Sequence, residues 1–264
     1  MNSVLLAVTA AVTVAAAVRG TWSPCGLSMV SAINPFSEHA RGNRYWLTTL
    51  WFIAGSLAGG ALLGSGAGLI AWILRPLAGH LSITLPVAAV ACLIAIAADL
   101  QVWGWHLPLH PRQVNELWLD RYRRWIYASG FGLQVGTGFA TYIMTAATYL
   151  LVLLAGLSGS PAFGLQIGLL FGLVRGLAVL WSSRARTPGA LRSLHRRLSV
   201  AEPWSLRAVV AVQAAGAVAL GYAAQGARGA AIAAASVLTV LGYRIIANGP
   251  ARRDAEKRAL TVIR

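Results

Sequence analysis

Apolar runs long enough to cross a lipid bilayer recur from one end of this chain to the other, and the charged residues crowd into the short stretches between them. A run of about 18 or more apolar residues can cross a hydrocarbon core about 30 Å thick. Hydrocarbon offers backbone amides no partner, so each run must bond to itself as a helix. A barrel is excluded, because blocks such as Val87 to Ala98 lack the polar–apolar alternation that barrel strands need. Composition agrees: 11% of residues are charged, against about 25% in a soluble domain. The expected fold class is an all-α, polytopic transmembrane helical bundle.

Seven spans are expected: Val4 to Ile33, Trp46 to Leu74, Leu81 to Leu100, Ile126 to Leu154, Ala162 to Trp181, Leu206 to Ala224 and Gly229 to Ile246. They form one transmembrane domain over residues 1–247, with core repeats at about 1–100 and 125–204 and a basic tail over 248–264. The formal net charge of +15 does not point to nucleic acid, because the arginines sit between spans. Loops on one side hold 18 of the 22 Lys and Arg residues, and the other side has only Arg75 and Arg228. By the positive-inside rule the N-terminus is outside and the C-terminus cytoplasmic. Met1 to Val18 lacks the basic start of a signal peptide and reads as part of the first span. Trp118, Tyr122 and Trp125 among arginines suggest that Gln113 to Trp125 lies as an amphipathic helix on the inner surface, in contact with membrane lipids.

Chemistry is concentrated where spans are interrupted. Trp22-Ser23-Pro24-Cys25-Gly26 falls inside the first span. Proline removes a helix hydrogen bond and clashes with the preceding turn, so the helix kinks or breaks there. Breaks at membrane depth often mark substrate or ion sites. Cys25 beside the break is either a reactive thiol or a small apolar residue packing a kink. The fourth span carries a Gly-rich counterpart, Gly130 to Gly138, with Gln134, Gly136, Thr137 and Gly138 as cavity candidates. Gln134, Thr137, Thr141 and Tyr142 recur at helical spacing and either line a cavity or join helices.

Charges within spans are costly and therefore candidates for function. Arg175 either snorkels to the interface or pairs with Asp99. Arg19 lies six residues before Cys25 and either serves that thiol or marks the outer interface. Cys92, near the middle of the third span, is a second thiol or an inert core residue. Cysteine and histidine spacings give no metal site and no haem attachment, and no phosphate loop or nucleophile elbow is present, so no cofactor is expected.

Ser23-Pro24-Cys25-Gly26, the short basic loop after it and the Gly-rich run Trp51 to Gly60 resemble the cytochrome c biogenesis protein CcdA and the membrane domain of the thiol:disulfide interchange protein DsbD. The resemblance covers roughly Gly20 to Trp181. It implies two inverted three-helix repeats in a bacterial inner membrane, here with one appended helix. It also implies a Pro-Cys in the first helix that faces a second cysteine in the fourth, the pair passing reducing equivalents from a thioredoxin-like partner. Pro24 and Cys25 match that pattern; at the second position this chain has Gly136-Thr137-Gly138. Two other functions use the same features. One is a small-solute or ion transporter with the same broken-helix core. The other is a non-catalytic membrane subunit that docks a partner through its basic face.

Overall fold

The computed structural model describes residues 2–102 and 122–262, with side chains as far as residue 246. Most of the surface helix expected over Gln113 to Trp125 lies outside the described residues. The described residues form a helical bundle of α1 (Ser3–Arg19), α2 (Pro24–Ala32), α3 (Pro35–Ala40), α4 (Tyr45–Ile73), α5 (Arg75–Ala78), α6 (Leu81–Asp99), α7 (Arg124–Thr137), α8 (Ala147–Leu157), α9 (Pro161–Leu177), α10 (Pro188–Gln225) and α11 (Ala227–Val262). Among the described residues six stretches are long and apolar enough to cross a membrane: Ser3–Trp22, Tyr45–Ile73, Leu81–Asp99, Pro161–Arg184, Pro188–Gln225 and Ala227–Ile246. The protein is a multi-pass helical membrane protein.

The span expected over Ile126 to Leu154 is not continuous. α7 stops at Thr137, residues 138–146 are unwound, and α8 resumes at Ala147. Gly138 turns the chain at φ +68°, a conformation that costs glycine nothing. Thr141 and Tyr142 therefore leave the helical face expected to join them to Gln134 and Thr137. The stretch expected as a basic loop is helical too. α10 begins at Pro188 and has 38 residues, about 57 Å at the α-helical rise, so it outruns the hydrocarbon core and carries Arg192, His195, Arg196 and Arg197 beyond it. α11 likewise continues through Val262 into the expected tail.

Four helices start in the same way. Ser23-Pro24, Asn34-Pro35, Ser160-Pro161 and Thr187-Pro188 each place a capping side chain before a proline in the first turn. The cap accepts an orphan N–H, and proline has none to lose at that position.

α4 is the packing axis, lying between α7 and α9. Its glycines allow backbone-to-backbone contact: a Cβ on Gly55 would fall 2.1 Å from Ser129 O, and one on Gly60 2.3 Å from Gly168 O. Glycines on the partner helices reciprocate, with Gly136 against Ser56 O at 2.1 Å and Gly172 against the same oxygen at 2.3 Å. The Ser56 hydroxyl donates to Gly172 O at 2.7 Å. Without a hydrophobic drive between helices in lipid, such close approach is what holds them together.

Candidate functional site

The first span breaks at Gly20–Ser23. α1 ends at Arg19 and passes into a 3-10 turn, Gly20–Trp22. Ser23 then caps a new helix, its hydroxyl accepting from Gly26 N at 3.1 Å. Pro24 is thus the first residue of α2 rather than a kink in a continuing helix. Cys25 is the second, in the amino-terminal turn, and is 1% exposed. Orphan N–H groups and the positive end of the helix dipole gather in that turn.

Arg175 of α9 joins the two breaks. It is buried, and its Nε donates to Val135 O at 3.3 Å, in the last turn of α7. Its guanidinium lies over the Cα of Gly20: a Cβ there would sit 1.4 Å from the Arg175 side chain. The cation also stands 5.8 Å from the Phe171 ring centroid, and Phe171 packs under Gly138. Among the described residues no carboxylate pairs with Arg175, whereas Cys25 lies within its electrostatic reach. Arg175 neither snorkels nor reaches Asp99. It sits where the carboxyl ends of α1 and α7 meet, and their unpaired carbonyls favour a cation.

Arg19 and Asp99 belong to a separate polar network. Arg19 donates to Ser205 Oγ at 2.6 Å and Glu202 O at 2.9 Å, and lies 3.7 Å from the Glu202 carboxylate. Asp99 accepts from the Thr145 hydroxyl and Ala146 N, both at 2.6 Å, and from Gln213 Nε2 at 2.9 Å. It therefore fastens the far side of the second break, where α8 begins, with Arg19 as a cation in electrostatic range. Arg19 Nε, Thr141 Oγ1 and Gln213 Oε1 are buried with no hydrogen-bond partner among the described residues.

The two thiols are not brought together. Cys25 packs with Trp22, Met29, Tyr127 and Phe131. Cys92 belongs to a different core cluster and approaches Gly216 of α10. No disulfide joins them. Gly26 packs on the turn before it, a Cβ there falling 2.3 Å from Thr21 O. Gln134 is half-buried, and the Thr137 hydroxyl donates back to Gln134 O at 2.8 Å. Among the described residues no cluster suited to a metal ion is found.

Sequence reasoning missed Glu38, which is fully buried at the end of the first span. Its carboxylate accepts from Thr48 Oγ1 at 2.5 Å, from Tyr127 Oη at 2.9 Å and from Arg41 at 3.1 Å. The i, i+3 spacing of Glu38 and Arg41 was the available signal. Gln213 was also missed, although a lone glutamine in an Ala-rich span is the kind of residue that bridges helices.

The chain is similar to methylamine utilization protein MauF of Paracoccus denitrificans, with 33% identity over 180 residues, 66% of this chain and 63% of the relative. MauF of Paracoccus versutus is 33% identical over 165 residues, 60% of this chain and 58% of the relative. MauF of Methylophilus methylotrophus is 28% identical over 186 residues, 67% and 64% of the two chains. The chain spans a little under two thirds of the length of these curated relatives. No protein-family model matches it, and no solved structure matches it. The relatives found are thus MauF proteins, where the motif resemblance had pointed to CcdA and DsbD. The chain is a helical, multi-pass membrane protein similar to bacterial methylamine utilization proteins.

Proposed function

We propose that this protein is a membrane accessory protein of a methylamine-utilization type of system, and that it works by thiol exchange at Cys25, in the first turn of α2. The observation that carries the reading is Arg175. Burying an ion costs several kcal/mol even after relaxation. The compensation on hand is a helix end, about 0.3–1 kcal/mol and up to about 2 in buried geometries, one hydrogen bond to Val135 O and the Phe171 ring. A guanidinium with no described carboxylate partner at that depth is a candidate for function. A guanidinium near a thiol in the first turn of a helix is the setting in which cysteines act as nucleophiles. The likeness to MauF supports the accessory role.

A single cysteine can carry the exchange if both partners are external. The Cys25 sulfur attacks a partner's disulfide, forming a mixed disulfide, and the partner's second sulfur leaves and takes up a proton. A thioredoxin-like dithiol protein then attacks the Cys25 sulfur, releases the reduced partner and closes its own disulfide. Two electrons pass from the dithiol to the partner's disulfide, and Cys25 is regenerated. In this reading α1–α6 and α7–α10 hold the core of an inverted arrangement in the bacterial inner membrane, with the basic face cytoplasmic and the N-terminus outside.

The test is trapping. A thioredoxin-like protein with its resolving cysteine changed to serine is oxidised to a mixed disulfide with a small thiol and incubated with native membranes. A disulfide-linked adduct that dithiothreitol releases is expected with the wild type and none with Cys25→Ser, while Cys92→Ser still traps. Equal trapping by wild type and Cys25→Ser rejects the reading. A second reading, transport of a small solute, is favoured by the unpartnered polar atoms on Arg19, Thr141 and Gln213. It expects flux into proteoliposomes that survives Cys25→Ser and is lost in Gln213→Leu.

A further inference from the structure

A second site lies away from both breaks, where the chain leaves the span Pro161–Arg184 and turns into α10. A cavity of about 440 Å³ opens there, lined by Trp181, Ser183, Arg184, Ala190, Ser193 and Arg197 among others. Arg184 comes from the end of the 3-10 helix Ala178–Arg184, and Arg197 from the third turn of α10. Among the described residues no carboxylate lines the cavity, and neither arginine forms an ion pair with a described carboxylate. Two arginines line one space, and no described carboxylate is paired with either.

We propose that this cavity binds the headgroup phosphate of an anionic phospholipid. Guanidinium forks match phosphate oxygens in bidentate geometry. Ser183 and Ser193 add hydroxyls, the latter now turned onto Ala190 O at 2.8 Å and free to rotate. A lipid fits better than a soluble phosphate because the lining is two-sided. Leu180 and Trp181 form its apolar wall and continue directly into the membrane span. Trp181 is half exposed, and its ring meets Trp22 edge-on at 5.7 Å. Tryptophan at that level marks the headgroup region, so glycerol and acyl chains would descend along this wall while the phosphate stays with the arginines. Basic pockets between spans at the membrane face hold anionic headgroups in this way. Trp22 lies within the first break, and its Nε1 donates to Leu198 O at 2.7 Å, one residue beyond Arg197. An occupied pocket would therefore brace the first break, although the site itself does not rest on the thiol reading.

The test uses the full-length protein in detergent, exchanged into mixtures containing either phosphatidylglycerol or phosphatidylcholine, with bound lipid counted by native mass spectrometry. Phosphatidylglycerol is expected to stay bound. Its retention falls about five-fold for Arg184→Gln or Arg197→Gln, and more than ten-fold for both. Arg186→Gln and Arg192→Gln, which leave the cavity lining intact, keep it. Ala190→Trp fills the cavity while retaining every charge and is expected to abolish binding as well. The proposal is overturned if the control arginines matter as much as the lining pair, if phosphatidylcholine is held equally, or if Ala190→Trp binds normally. Millimolar inorganic phosphate is expected to compete poorly. Complete displacement by it would assign the cavity to a soluble phosphate and reject the lipid.

Discussion

The two broken spans interrupt the membrane in different ways. The first break is four residues, Gly20 to Ser23, and nearly helical: a 3-10 turn, a serine cap and a proline in the next first turn. Its backbone and cap hydrogen bonds are local, and one ring bond, from Trp22 to Leu198 O, ties it to α10. The second break takes nine residues, 138–146, and its stability comes from elsewhere in the fold. Phe171 packs under Gly138, Arg175 binds the α7 end, and Asp99 and Gln213 hold the α8 start. A local break is written in adjacent residues, whereas a tertiary break is written in residues as far off in sequence as Asp99 and Gln213. The second should therefore be the softer of the two, and the one that responds to changes at a distance.

The sharpest way to break this contrast is through glycine. Gly136→Ala places a methyl 2.1 Å from the Ser56 carbonyl of a neighbouring helix. Overpacking against a backbone that cannot retreat is expected to cost about 3 kcal/mol or more, seen as a large fall in melting temperature in detergent. Gly26→Ala meets Thr21 O, in the same segment, at 2.3 Å. That turn can shift, so the loss should be about half as large, and equal losses would contradict the local character of the first break.

Asp99→Ala removes the acceptor for three donors at the second break. Buried donors left unmet cost about 1–3 kcal/mol, and faster hydrogen exchange should be confined to residues near 138–148. Asp99→Asn keeps an acceptor for Ala146 N and should lose less. Ser23→Ala removes only a cap, worth about 1 kcal/mol, and should speed exchange in the first turn of α2 while leaving the second break untouched. The smallest effect on stability is expected from Arg175→Met. An apolar side chain of similar length in place of an unpaired buried charge is often neutral or stabilising, so melting should be unchanged or slightly raised while thiol exchange is lost.

Much of the bundle is legible in sequence because lipid imposes one rule on every span. Long apolar runs must be helix, and the spans Trp46 to Leu74 and Leu81 to Leu100 fall within a residue of α4 and α6. The first break was legible too, although Ser-Pro reads more correctly as a cap and a first turn than as a kink. Other features were hidden. Nothing local forces residues 138–146 to unwind, since Ile143 and Met144 would suit a helix well. Arg175 was recognised as an intramembrane charge, but its partner was misjudged, because sequence gives the depth of a residue and not the direction of its side chain. The basic stretch before Leu206 looked like a loop by hydropathy, while the Thr187-Pro188 start and the spacing of Leu191, Leu194 and Leu198 already favoured a helix.

The central claim is that Cys25 is a working thiol because it lies within the electrostatic reach of Arg175, which touches both breaks. It is tested most directly by timing the reaction of a membrane-permeant maleimide with Cys25 and Cys92 in native membranes, in wild type and Arg175→Met. Cys25 is expected to label quickly, Cys92 to stay protected, and the Cys25 rate to drop at least about ten-fold in the variant. If both cysteines are equally protected, or if Cys25 labels as fast without the guanidinium, Arg175 does not serve a thiol and the account fails.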